Sequence, residues 1–264
     1  CHLAQERESV CLCDTQEGVC VCVSSMGASD RVLRLLETCF LDAEASPYLV
    51  MAAHSLFVMH SNRCRGITPH LPCAKSLPPA LLRSLGPQII KSLASPGTPP
   101  RFVRDRGLSL AIILASWLGM YRSGDSDLVH RWFSSKYVKP VVYFLEGVYR
   151  SRIITAGVRS GARKGGPLLG FLVGLLSGCG GSILLDVAKF AIRRDAHSSS
   201  ALSAYRTRPP WSFTVSWRCS AFLSLVMLFR PHYWKLYRLA ELAAGSAVAL
   251  SYLWLSLGDS VLQD

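Results

Sequence analysis

Apolar and charged positions fall in long alternating blocks along this chain. The longest apolar block runs from Pro167 to Leu185, PLLGFLVGLLSGCGGSILL, and contains no charged residue. Roughly 20 such residues are what a helix needs to cross a hydrocarbon core. Four further blocks, Gly107 to Tyr121, Val141 to Val158, Trp211 to Phe229 and Leu239 to Leu255, sit between basic clusters. The pattern predicts spans at about 107–122, 140–158, 166–188, 211–229 and 239–256. Pro140 can open the second of these, and Trp234 and Tyr237 suit a membrane interface.

The first hundred residues are less regular. Tyr48 to His60 is apolar but short for a span, and Leu81 to Leu93 has a helical period but carries Arg83 and Lys91. Ser61 to Pro78, with Pro69, Pro72 and Pro78, reads as a loop, and Pro96 to Pro100 as a breaker-rich connection. Asp30 to Asp42 reads as a short amphipathic helix. VCLCDTQEGVCVCV predicts two alternating strands around Gln16-Glu17-Gly18, a hairpin. Its C-x-C pairs, Cys11/Cys13 and Cys20/Cys22, could gather thiolates around a soft metal. The spacing is not that of a structural zinc site and no nearby His completes one, so no metal site is expected. The chain thus divides into a poorly ordered Cys-rich region, 1–43, and a transmembrane domain, 44–264.

Composition narrows the class. Of 264 residues 50% are hydrophobic and 17% charged, with a net charge of +12. A mean hydropathy of +0.28 is too apolar for an ordinary soluble domain. The basic residues cluster between apolar blocks and form no basic face on a soluble fold. That favours anionic lipid and topology signals over nucleic acid as the reason for the charge. One side of the membrane would collect Arg131, Lys136, Lys139, Lys189, Arg193, Arg194, Arg206 and Arg208. The other would collect Arg159, Arg163, Lys164, Arg230, Lys235 and Arg238. The richer side is expected to be cytoplasmic, together with the C-terminus.

Candidate chemistry sits in two neighbouring blocks. Glu146, Arg150 and Arg152 lie inside an apolar helix, where ionisable groups are costly and point to function. Glu146 and Arg150 are also four residues apart, so a simple pair on one helix face explains them equally well. In the next block Gly170, Gly174 and Gly178 line one face, which lets another backbone approach. Gly180, Gly181 and Ser182 form a second weak point, where a kink would free carbonyls to line a cavity. His54 and His60 read as packing or interface residues. Neither H-E-x-x-H nor G-x-S-x-G occurs, so no enzyme is expected.

Asp127 to Ile183 resembles the trimeric intracellular cation channels of the endoplasmic and sarcoplasmic reticulum. Those proteins pair a helix of the type K-E-V-x-R-x-x-K-I-x-x-G-V with one of the type G-W-x-x-G-x-G-G. Here the first is Glu146-Gly147-Val148-Tyr149-Arg150-Ser151-Arg152-Ile153-Ile154-Thr155-Ala156-Gly157-Val158. The second is Gly174-Leu175-Leu176-Ser177-Gly178-Cys179-Gly180-Gly181. The family's first motif lysine is Glu146 here, its last is Ile153 with Arg152 beside it, and the basic residue before the glycines is Ser177. The second helix should carry a similar glycine pair, and the nearest candidate is Leu85-Gly86-Pro87.

The resemblance implies an all-α, multi-pass membrane protein: a polytopic helical bundle of two three-helix repeats plus a seventh helix, with a divergent N-terminal region. It implies a homotrimer in the endoplasmic or sarcoplasmic reticulum or nuclear membrane, with an ion path in each protomer. Potassium would pass as counter-ion during calcium release. Ser177, Gly178, Gly180, Gly181 and Ser182 would form the pore and its hinge. Glu146, Arg150, Arg152, Lys164 and Arg218 would serve gating or the binding of a phosphatidylinositol bisphosphate-type lipid. Glu146, in place of a lysine, either weakens that binding or pairs Arg150 internally. A repeat-built secondary transporter and a non-conducting helical protein are the alternatives.

Overall fold

The computed structural model describes residues 9–13, 20–24, 47–64, 73–94, 99–121, 128–133, 135–193, 210–229 and 234–261. Strands β1 (Ser9–Cys13) and β2 (Cys20–Ser24) pair antiparallel, with Cys11 opposite Cys22 and Cys13 opposite Cys20. This is the hairpin expected from the alternation. The helix expected at Asp30 to Asp42 lies outside the described residues, as do most of the loop from Arg193 to Pro210 and the turn at Gln16-Glu17-Gly18.

Every other described element is a helix. In order they are α1 (Pro47–Cys64), α2 (Cys73–Ala94), α3 (Arg101–Arg104), α4 (Leu108–Tyr121) and α5 (Leu128–Phe133). Then come α6 (Val138–Arg193), α7 (Trp211–Phe229) and α8 (Trp234–Val261). α6 is two helices joined at Gly165 (φ −151°, ψ 27°) and Gly166 (φ 77°, ψ −174°). A side chain at Gly166 would be strained, because that combination is essentially open to glycine alone. Pro167 then opens the second arm with its φ already set. The arms, 138–164 and 167–193, each extend about 40 Å at 1.5 Å per residue. Counting them separately, α1, α2 and α4 form one set of three, the two arms and α7 a second, and α8 is the seventh.

Two expectations need correction. Ser61 to Pro78 is not a loop throughout: α1 runs on to Cys64 and α2 begins at Cys73, with Pro78, Pro79 and Pro87 inside it. Packing outweighs the proline penalty there, since Ala80 is fully buried and Leu85 nearly so, against Met59 of α1 and Ile113 and Met120 of α4. Tyr237 does not sit at an interface. α8 starts at Trp234 and carries Tyr237 into the main core, with Phe57, Phe133, Tyr143, Leu223 and Tyr252.

The bundle buries charged and polar side chains beside its apolar core and exposes many large apolar ones. Glu146 and Glu241 are 0% exposed, whereas Leu168 is 72% and Trp254 76% exposed. Leu168, Leu172 and Leu176 recur every fourth residue along the outside of the second arm. Among the described residues the stretches Val138–Val187 and Leu236–Gly258 are long and apolar enough to cross a membrane, and Leu108–Met120 is a shorter apolar helix. The first stretch holds both arms of α6, hence two of the expected spans.

Candidate functional site

The buried charges gather where α1, α2 and the two arms of α6 meet. Glu146 and Arg150 lie one turn apart, and Arg150 Nε donates to Glu146 Oε1 at 2.6 Å. The other carboxylate oxygen accepts from His54 Nδ1 of α1 at 2.7 Å. The His54 ring stacks on Tyr149, with centroids 3.9 Å apart. Arg150 Nη1 also donates to the backbone carbonyl of Gly178, so one guanidinium ties the first arm to the second. All four side chains are buried. A lone charge there would cost several kcal/mol, and this geometry offsets that by giving each charge an opposite partner and hydrogen bonds. Of the two readings open for Glu146, internal pairing with Arg150 is the one the structure shows.

The kink expected at Gly180-Gly181 is absent. The backbone is helical there, and the break in α6 lies at Gly165-Gly166. The glycines act through contact instead. A Cβ on Gly86 of α2 would stand 2.5 Å from Gly181 Cα, and a Cβ on Gly181 would strike the carbonyl of Arg83. The lone glycine of Leu85-Gly86-Pro87 therefore suffices, because its partner across the crossing is also glycine. Pro87 has a further effect: with no N–H to offer, it leaves the Arg83 carbonyl without its usual i+4 donor. That freed carbonyl faces the second arm. Gly178 packs against Ser216 and Ile154, and Gly180 against the side chain of Ile90.

Neutral oxygens line the same region. Ser84 Oγ and Gln88 Oε1 of α2 and Ser177 Oγ of the second arm are buried without a protein partner. Ser182 is half-buried. Arg83 is turned away, donating to Asn62 Oδ1 and to Ser61 Oγ at 3.4 Å. The remaining predicted residues scatter. Arg152 is buried further along the first arm, Lys164 is exposed at its end, and Arg218 is exposed on the outside of α7.

Sequence reasoning missed three features. His54 does more than pack, and an imidazole in an apolar helix is itself a signal for a buried partner. Arg159 forms a bidentate bridge to the fully buried Glu241 of α8, at 2.8 and 2.7 Å. A cavity of about 490 Å³ opens between α1, α2, α3 and the first arm. It is lined by Lys91, Arg104, Arg152, Arg159, Arg163 and Lys164. Among the described residues no group of His, Cys, Asp and Glu is placed to hold a metal ion.

No protein-family model and no curated protein sequence matches this chain. Solved structures match it in fold. One is a trimeric intracellular cation channel from C. elegans with bound Ca2+, at a TM-score of 0.62 and 16% identity, covering 85% of this chain and 96% of that one. Another is a trimeric intracellular cation channel from C. elegans in the absence of Ca2+, at 0.63 and 17%, covering 87% and 97%. The helical bundle of this chain has the fold of those structures.

Proposed function

We propose that the chain is a passive cation channel of an intracellular membrane. The observation that carries this is the set of buried charges and unpartnered oxygens inside a bundle whose surface is rich in large apolar side chains. Large apolar side chains are exposed, while a compensated charge cluster and unpartnered neutral oxygens lie inside, among α1, α2 and the two arms of α6. Carbonyl and hydroxyl dipoles of this kind can replace part of a monovalent cation's hydration shell. The fold shared with the C. elegans cation-channel structures supports the same reading.

The finer proposal is that potassium is the permeant ion, moving as counter-ion when calcium leaves the endoplasmic or sarcoplasmic reticulum, and that the chain works as a homotrimer. Ser177, Gly178, Gly180, Gly181 and Ser182 remain the proposed pore wall, reached by close packing rather than by a bend. Arg150, held between Glu146 and the Gly178 carbonyl, stands as the gate. A phosphoinositide-type lipid is the proposed regulator. Arg150 and Glu146 are committed to each other, which leaves Arg152, Lys164 and Arg218 to meet it.

Reconstitution into planar bilayers under a potassium gradient tests the reading. Discrete current steps that reverse near the potassium equilibrium potential are expected. Flux that requires a second, coupled solute, or a reversal potential indifferent to the potassium gradient, would refute it.

A further inference from the structure

We infer that Cys11 with Cys22, and Cys13 with Cys20, form two disulfides across the N-terminal hairpin. The register of β1 against β2 sets the members of each pair directly opposite one another. Positions two apart in a strand share a face. The four cysteines therefore fall on one face of the hairpin together with Ser9 and Ser24, while Val10, Leu12, Val21 and Val23 fall on the other. A two-stranded hairpin is marginal in water, and these four aliphatic residues are its whole apolar face. Crosslinks that constrain the open chain supply what so small a face does not.

Distance selects the partners. Residues directly opposite in an antiparallel pair have Cα atoms about 4.5–5.5 Å apart, inside the roughly 4.4–6.8 Å that a disulfide spans. The diagonal partners, Cys11 with Cys20 and Cys13 with Cys22, stand about 7–8 Å apart, beyond that range. A bond along one strand, Cys11 to Cys13, needs about 6.6 Å and lies at its edge.

The compartment supplies the oxidant. Read as seven crossings, α1, α2, α4, the two arms of α6, α7 and α8 put the residues before α1 and those after α8 on opposite sides of the membrane. The richer basic connections assign the latter to the cytoplasm, so the hairpin faces the lumen, where small disulfides such as oxidised glutathione persist. One cysteine thiolate attacks that disulfide and releases one glutathione, and the cysteine opposite then displaces the second. Each crosslink thus forms one S–S bond, breaks another, and passes two electrons and two protons to two glutathione molecules. The inference rests on the intracellular-membrane reading for its oxidant and not on conduction.

Thiol trapping tests it on the full chain. Cell membranes holding the protein are treated with N-ethylmaleimide before solubilisation, and the protein is then digested without reductant after Arg7, Glu17 and Arg31. The cut after Glu17 separates the two strands, so a crosslink alone keeps their peptides together. Mass spectrometry should find those peptides joined, with all four cysteines unalkylated. Dithiothreitol should part them and restore four thiols. In C13S the peptides should stay joined through Cys11 and Cys22 while Cys20 becomes alkylated, and in C20S Cys13 should be the one exposed to the reagent. Separate peptides, whether alkylated or each closed on itself, overturn the inference, as does a C13S chain in which Cys20 stays blocked. No readout involves ion flux. A conducting chain with free hairpin thiols sinks this inference alone, and a crosslinked chain without potassium current sinks only the channel reading.

Discussion

Replacing Glu146 with glutamine tests the charge cluster most directly. The change keeps the shape of the side chain and removes its charge. In the native cluster the carboxylate accepts from Arg150 at 2.6 Å and from His54 at 2.7 Å, and is 0% exposed. Without it Arg150, itself 4% exposed, keeps its charge and the Gly178 carbonyl but no counter-ion. Removing one partner of a buried ion pair costs about 3–5 kcal/mol. At about 2–4 °C per kcal/mol for a chain of this size, the unfolding temperature should fall by roughly 10 °C. Tryptophan fluorescence of the detergent-purified protein on heating reads this. Adding R150M to E146Q removes the stranded charge, and the double variant should recover most of the loss. In bilayers, E146Q leaves a positive charge beside the proposed path. At an effective dielectric constant of about 20, one unit charge about 8 Å away raises a cation's energy by about 2 kcal/mol, enough to cut current more than tenfold. An E146Q protein that melts within about 2 °C of the native one, or a double variant no more stable than the single, would refute the reasoning.

Two further substitutions probe the packing. Gly181→Ala drives a methyl against the Arg83 backbone and should cost about 1–3 kcal/mol, whereas Gly180→Ala meets only the movable end of Ile90 and should stay within about 1 kcal/mol. Equal melting shifts for the pair would show that the Gly86–Gly181 crossing is not the tight contact described. Glu241→Gln unpairs Arg159, whose side chain is 29% exposed and so keeps some water. The discounted cost is about 1–3 kcal/mol, and a melting shift as large as that of E146Q would contradict it.

What could be read from the sequence follows from how much of each signal is local. Trp211 to Phe229 is a helix with the bounds expected of a span, because Arg208-Pro209-Pro210 before it and Arg230-Pro231 after it are visible in the chain itself. The charge-free run after Pro167 was equally plain. α2 was obscured by Pro78, Pro79, Pro87, Arg83 and Lys91, each of which argues locally against a buried helix. Only its burial against α1, α4 and α6 overrides them. The break in α6 was placed at the wrong glycines. Gly165-Gly166-Pro167 holds the better local signal, since a residue before proline is pushed out of the helical region. Gly180-Gly181 is followed by Ser182 rather than proline, and α2 is pressed against it. The His54–Glu146 bond spans 92 positions and has no local trace.

The two-residue joint at Gly165-Gly166 also constrains how the chain can enter a bilayer. A connection that short holds the two arms close together as a helical hairpin. Such a hairpin can enter the bilayer as one unit. The second arm has no charge from Pro167 to Leu185 and partitions into lipid readily, whereas the first carries Glu146, Arg150 and Arg152 and would do so poorly alone. The uncharged arm thereby brings its charged neighbour across, with Glu146 and Arg150 already a turn apart and able to neutralise each other on the way. By this route one orientation serves both arms, and a longer joint would loosen that coupling.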